Sequence, residues 1–253
     1  MEIILTGFHA IDEAVKAALD ARPAQDFTLF YAGTTGPRVK KILNTAAQKK
    51  LHTKNCERAE LDRLVEKLPE ALRNHRGLVL VFQQNSYELS LEQFLAEKTD
   101  AKTLTVAILS NIIDPHNVGA ILRSAEQFAV DAVITAERKS AGDYATIAKI
   151  SSGASALVPL IRVKNLNRAT DALKAAGFWL YGADLDGDAL PQVAFAARTC
   201  IVLGSEGSGI AAALKRNCDT IITIPTYGKL DSLNVSNAAA VIFYARSLCH
   251  TEM

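Results

Sequence analysis

"IVLGSEGSGI", residues 201–210, passes from four apolar or small residues into a turn that holds Gly204, Gly207 and Gly209 around one acid, Glu206. A strand entering a glycine turn that opens a helix, here "IAAALKRN" (210–217), is a common ligand cradle, because backbone N–H groups at a helix start lack partners within the helix. Two anion readings can be tested residue by residue. Gly204 to Gly209 has the glycine spacing of a phosphate loop, but Ile210 and Ala211 stand where Lys and Ser or Thr are required, so that reading fails. Gly207, Gly209 and Ala212 match the GxGxxA of dinucleotide-binding folds, on which a nucleotide-dependent oxidoreductase would rest. Against it, Glu206 would sit beside the pyrophosphate, and no acid follows where "IIT" (221–223) runs into "IPTYG" (224–228). Only 44 residues follow Gly209 (253 − 209), too few for the rest of such a fold.

Around this stretch, apolar strands "LTVAIL" (104–109), "AVIT" (132–135), "FWLYGA" (178–183), "TCIVLG" (199–204) and "TIITIP" (220–225) alternate with helical patterns such as "GAILRSAEQFA" (119–129) and "NRATDALKAAG" (167–177). Near-continuous apolar strands in that alternation predict an α/β domain with a parallel sheet covered on both faces. The preceding part has a different style. It predicts helices over Ala10–Leu19, Val39–Lys50 and Ala59–Leu68 and strands over Phe27–Tyr31 and Gly77–Phe82, a small α/β module. Polar residues of mixed charge around "QNSYELSLEQFLAEKTDAK" (84–102) suit a linker with one short helix. The expected division is therefore a first domain over 1–84, a linker over 85–102 and a second domain over 103–253.

Composition bounds the partners. Of 253 residues, 49% are hydrophobic and 22% charged, which describes a globular protein with a sizeable core, and the net charge of +1 means that any basic surface is local. Residues 27–56 contain no Asp or Glu but hold Arg38, Lys40, Lys41, Lys49, Lys50 and Lys54, either a solvated helix face or the first step of a nucleic-acid interface. Cys56, Cys200, Cys218 and Cys249 form no CxxC pair and the histidines no metal-ligand spacing, so no metal site is expected and reduced thiols in the cytoplasm fit. The opening "MEIILTGFHAIDEAVKAALD" has apolar positions at helical spacing with acids among them, unlike a signal peptide, and no apolar run approaches a membrane span.

Three separated segments carry a resemblance: "NIIDPHNVGAILRSAEQF" (111–128), "IVLGSEGSGI" (201–210) and "IPTYGKLDSLNVSNAAAVIFYA" (224–245). In this order and near these separations they resemble the signature motifs of the SPOUT superfamily, in particular the SpoU or TrmH-like RNA ribose 2'-O-methyltransferases. The first module is similar to the family's ribosomal-protein-like accessory domain, opening with "TGFHAIDEAVKA" (6–17) and closing with "HRGLVLVF" (75–82). This layout resembles the bacterial enzymes that methylate a guanosine ribose of 23S ribosomal RNA.

The resemblance implies a parallel sheet whose C-terminal segment threads a loop to form a deep trefoil knot, an exception to the rule that chains do not knot. It implies S-adenosylmethionine (AdoMet) held largely by backbone groups at Leu203, Gly204, Ser205, Gly207, Ile224, Pro225 and Leu233, a homodimer, an RNA partner and no metal. Because AdoMet carries a sulfonium cation and no phosphate, an acid in the 204–209 turn is not repelled. Among the motif residues it assigns catalysis to Arg123 and a supporting role to Asn117, Glu206, Ser232 and Asn234. Each has a plainer alternative: Asn117 as a helix cap, Arg123 as a solvated helix residue, Ser232, Asn234 and Ser236 as loop and cap residues. The loops "TYGKLD" (226–231) and "ERKSAGDYA" (137–145) are where members differ, and target identity turns on them. Ribosomal RNA is the expected target, with transfer RNA, or a non-catalytic RNA-binding assembly factor, as alternatives.

Overall fold

The computed structural model describes residues 2–21, 27–33, 36–83, 89–137, 147, 154, 157–229 and 232–249. Most of "ERKSAGDYA", the end of "TYGKLD" and the start of the expected linker, 84–88, lie outside them. The chain divides into two compact units, one of Met1–Glu88 with Gly142–Leu157, the other of Leu89–Ala141 with Val158–Met253.

The first unit carries β1 (Glu2–Leu5), α1 (Phe8–Ala21), β2 (Phe27–Tyr31), α2 (Pro37–Gln48), β3 (His52–Asn55), α3 (Arg58–Val65) and β4 (Leu78–Gln83), with sheet order β1-β4-β2-β3. The run "LVLVF" in β4 is apolar throughout because both faces are covered. Leu78, Leu80 and Phe82 pack with Ile11, Val15, Val39 and Ile42, while Val79 and Val81 pack with Leu61 and Val65. Two strands were not legible in the sequence. The opening residues, which precede the helix expected over Ala10–Leu19 and fall in no expected element, form β1 antiparallel to β4, and Gly7, at φ +92, turns the chain before α1 begins. β3 pairs parallel to β2 with all four residues exposed, so it has no apolar alternation to betray it.

The second unit opens with α4 (Leu91–Glu97), started by a capping box between Ser90 and Gln93. Leu91 and Phe94 enter the core of this unit, and the Arg198 guanidinium donates to Lys98 O, Thr99 O and Ala101 O just beyond the helix. There follow β5 (Leu104–Ser110), α5 (Pro115–Gln127), β6 (Ala132–Ala136), β7 (Leu160–Val163), α6 (Leu166–Ala175), β8 (Trp179–Ala189), β9 (Arg198–Gly204), α7 (Ala212–Asn217), β10 (Thr220–Thr223) and α8 (Val235–Leu248). The six strands are ordered β10-β8-β9-β5-β6-β7 and all pair in parallel, as the unbroken apolar runs require. Every residue of β5 is buried, and α5 and α8 pack on each other. No helix among the described residues is long and apolar enough to cross a membrane.

The parallel arrangement positions the site. Parallel strands put all their C-terminal ends on one edge, so the three sequence motifs, which lie at those ends of β5, β9 and β10 and begin at residues 111, 201 and 224, emerge together. β8 stands between β9 and β10 and delivers its own end to that edge.

Candidate active site

The 204–210 turn is closed on itself. Gly209 N donates to Ser205 O at 2.8 Å, the hydroxyls of Ser205 and Ser208 lie 2.7 Å apart, and Gly209 adopts φ +60. A Cβ on Gly204 would meet Gly209 C at 2.1 Å and Ile210 N at 2.2 Å, so a side chain here collides with the turn's own backbone. That is why glycine stands at this position. Ala211 N, at the start of the short α7, donates to Ser110 Oγ at 3.3 Å, so this helix start serves to tie β5 to the turn.

Three side chains from the three motifs meet at the strand edge. Asp114, not Asn117, caps α5: its Oδ1 accepts from His116 N at 2.9 Å, and Pro115 follows as the first helical residue. This frees Asn117, in the first turn, for other partners. Asn234 caps α8 through Oδ1, which accepts from Ser236 N at 2.9 Å and from the Ser236 hydroxyl at 2.5 Å. Its amide nitrogen donates to Asn117 Oδ1 at 3.0 Å and to Glu206 Oε1. Glu206 Oε1 also accepts from Val235 N at 3.4 Å and from Asn117 Nδ2 at 3.5 Å.

The cap role and the bridging role of Asn234 thus coexist, one at each end of its amide. Glu206 brings a negative charge to the N-terminus of α8, where the helix dipole favours it. The acid in a glycine turn therefore has a structural partner set: it pins the start of the last helix to the first motif.

Asn234→Ala removes the cap and the bridge together. It is expected to cost about 1–2 kcal/mol in denaturant unfolding, and a double-mutant cycle with Asn117→Ala is expected to show coupling of about 0.5–1 kcal/mol.

Two expected members stay outside this network. Arg123 lies further along α5, exposed, and no described residue engages its guanidinium. Six residues past Asn117 at 100° per residue, it points about 120° away from Asn117 around the helix. Ser232 is likewise exposed without a described partner.

Beside the network, a hollow of ≈ 440 Å³, open solvent at its mouth included, is lined by Ala183, Asp184, Ile222, Ile224, Thr226, Leu233, Ala238 and Ile242. Of the residues expected to hold AdoMet, Ile224 and Leu233 line it. Leu203 is buried in the sheet, Gly204, Ser205 and Gly207 belong to the neighbouring turn, and Pro225 is exposed beside Ile224. An apolar lining with few polar groups suits the flat face of an adenosyl group. Asp184 and Ala183 escaped the sequence reading because they lie outside the three motifs; the available signal was their position where the apolar run "FWLYGA" (178–183) gives way to the acidic "DLDGD" (184–188). Among the described residues no group of three or more His, Cys, Asp or Glu side chains is placed to hold a metal ion.

Comparison with known proteins agrees with this geometry. Residues 104–244 match the model of the SpoU rRNA Methylase family, and residues 4–88 match that described as RNA 2'-O ribose methyltransferase substrate binding. A TrmH-family protein of Staphylococcus haemolyticus is 34% identical over 245 residues, covering 96% of this chain and 94% of its own. An uncharacterized tRNA/rRNA methyltransferase of Borreliella burgdorferi is 36% identical over 219 residues, 82% of this chain and 92% of its own. The SpoU methyltransferase AviRb of Streptomyces viridochromogenes, solved with AdoMet, superposes with a TM-score of 0.75 at 24% identity, covering 100% of this chain and 92% of that one. With its α/β parallel sheet and separate N-terminal unit, the chain belongs to the SpoU family of RNA methyltransferases, whose methyl donor is AdoMet.

Proposed function

We propose that this enzyme methylates a ribose 2'-hydroxyl, with a guanosine of 23S ribosomal RNA as the target class. The network that joins Asn117, Glu206 and Asn234 carries this reading, because it unites the three motifs at one strand edge. AdoMet, when bound, supplies an electrophilic methyl group on a sulfonium. Ile224 and Leu233, which line the hollow, would hold it.

A ribose hydroxyl is a poor nucleophile until its proton leaves or its developing charge is stabilised. As the carbon–oxygen bond forms and the carbon–sulfur bond breaks, the hydroxyl proton must depart. Arg123 is the cation assigned to that moment. An arginine stays protonated, so the less costly role is a planar fork that fixes an RNA phosphate and stabilises the developing alkoxide, with the proton passing to solvent. Asn117 and Asn234, locked to Glu206, hold the start of α8 and the preceding Leu233 in place.

We further propose a cytoplasmic homodimer formed through the second unit. α8 leaves Val241 and Tyr244 exposed, at 40% and 53%, more apolar surface than a solvated terminal helix needs. Arg123 has no described partner in its own chain, which suits a site completed by a second copy.

Residues 1–84, joined through 85–102 to a catalytic domain over 103–253, would select the RNA. The exposed face of α2 supports this. Arg38, Lys40 and Lys41 are exposed with no described partner, in a stretch without acids. Lys49 instead donates to Lys16 O, and Lys54 pairs with Glu60 at 2.7 Å, so each already has a partner within its own chain. Charge reversal at Arg38, Lys40 and Lys41 is expected to weaken RNA binding and to lower the slope of log K against log salt by about 0.7–0.9 per lost contact, with AdoMet affinity unchanged.

The transfer-RNA alternative has a specific observation in its favour. The TrmH/SpoU tRNA modifying enzyme of A. aeolicus matches 64% of this chain and 85% of its own at 26% identity, TM-score 0.54. Ribose-methylation mapping of total RNA from cells with and without the gene decides the target. A methyl lost from ribosomal RNA supports the proposal, and one lost only from transfer RNA replaces it.

A further inference from the structure

Of the eight residues that line the hollow, Asp184 is the one with an ionisable side chain, and the others are apolar apart from Thr226. Asp184 lies on β8, the strand between those that carry the second and third motifs. Its carboxylate is fixed from two sides. Oδ1 accepts from Leu185 N at 2.7 Å, and Oδ2 pairs with Lys215 Nζ at 2.7 Å across to the last turn of α7. The adjoining backbone is held as well, because the Thr223 hydroxyl donates to Leu185 O at 3.0 Å and so ties β8 to β10. The side chain is only 22% exposed, and the Lys215 ammonium holds its carboxyl below the usual carboxylate range, so it is an acceptor at neutral pH.

A carboxylate can only accept hydrogen bonds. Its charge is already balanced by Lys215, so the hollow does not call for a second cation. The group it lacks is a neutral N–H or O–H donor on a ligand whose remainder is apolar and flat enough for Ile222, Ile224 and Leu233. Resting on the cofactor reading above, we propose that Asp184 is a cofactor-recognition residue that reads the nucleoside half of AdoMet, accepting a hydrogen bond from the adenine amino group or a ribose hydroxyl. Both candidate donors are neutral and both belong to the adenosine. The amino-acid end of the cofactor, which is charged, is then held elsewhere. Lys215 acts through Asp184, as a positioning residue.

The test is calorimetric binding of S-adenosylhomocysteine and of 5'-methylthioadenosine to the full-length chain. The two ligands share the nucleoside, and only the first has the amino-acid end. Asp184→Ala is expected to weaken both by the same factor, about tenfold, the range of one hydrogen bond to a charged acceptor. Asp184→Asn, which keeps the shape and one acceptor, is expected to weaken both equally but less. Lys215→Met, which keeps the carboxylate, is expected to weaken both by under about threefold, as for a partly exposed ion pair.

S-inosylhomocysteine, which lacks the adenine amine, separates the two donors. A penalty that vanishes with it assigns the amine, and one that persists assigns the ribose. A penalty confined to S-adenosylhomocysteine, or no penalty in Asp184→Ala with an unchanged melting temperature, overturns the proposal. The cofactor reading is tested separately: Ala238→Phe, which fills the hollow from the first turn of α8, is expected to abolish binding of both ligands. If it binds them normally while folded, the hollow is not the cofactor site.

Discussion

Arg123→Ala is expected to lower the methylation rate by at least about 10²–10³-fold, the scale of removing one group that stabilises a developing oxyanion, while the protein stays folded and binds AdoMet as before. The expectation of an intact fold comes from position. Arg123 is on the exposed side of α5, and none of its side-chain polar atoms bonds a described residue, so its removal leaves no cavity and no orphaned donor. The buried side of the helix is held by Val118, Ile121, Leu122 and Ala125, which the substitution does not touch.

Arg123→Lys is expected to remain close to the alanine variant, because an ammonium cannot offer the planar pair of N–H groups that grips a phosphate. Single-turnover methylation, S-adenosylhomocysteine calorimetry and light scattering on the same samples check the three parts. Methylation retained within tenfold in Arg123→Ala would remove Arg123 from the chemistry. A monomer by light scattering in the wild type would remove the idea of a shared site.

Gly204→Val should produce the largest structural effect of any single change at the strand edge. The added Cβ alone would sit 2.1–2.4 Å from the backbone of Gly209 and Ile210, and neither backbone can move without opening the turn that places Glu206. Loss of that placement releases the partners of Glu206 at Asn234 and Val235, so the start of α8 loosens as well. The expected outcome is destabilisation of about 3 kcal/mol or more together with loss of cofactor binding. The neighbouring Gly207→Ala is the control. Nothing lies within 4 Å of a Cβ there, and a change of less than about 1 kcal/mol is expected. Thermal melts and S-adenosylhomocysteine titration of both variants check the contrast. Equal behaviour of the two would mean that the close approach at Gly204 is not what the turn requires.

Much of this molecule was legible from its residues. The apolar runs of β5, β6, β8, β9 and β10 announced a sheet buried on both faces, and each formed, because burial of a strand's two faces is written locally in its side chains. The strand expected over Phe27–Tyr31 is β2, with the same two ends. The three motifs were legible as residue types at fixed spacing, and Asn117, Glu206 and Asn234 do meet. Other features were silent because nothing local encodes them. β3 is exposed at every position and exists only through pairing with β2, and β7, with its short "LIRV", was not singled out. The cap of α5 fell to Asp114 and not to Asn117, a choice between two suitable residues that helix phase made.

The sequence by itself determined the alternation of strands and helices and the chemistry of the motif residues, since these depend on each segment's own polarity and backbone preferences. Only the tertiary structure decided that β8 lies between β9 and β10, that Gly204 is needed for an approach to Gly209, and that Asp184 joins Ile224 and Leu233 around one hollow. Strand order and the contacts of strand ends arise from packing between segments tens of residues apart, and no periodicity within a segment records which neighbour it will have.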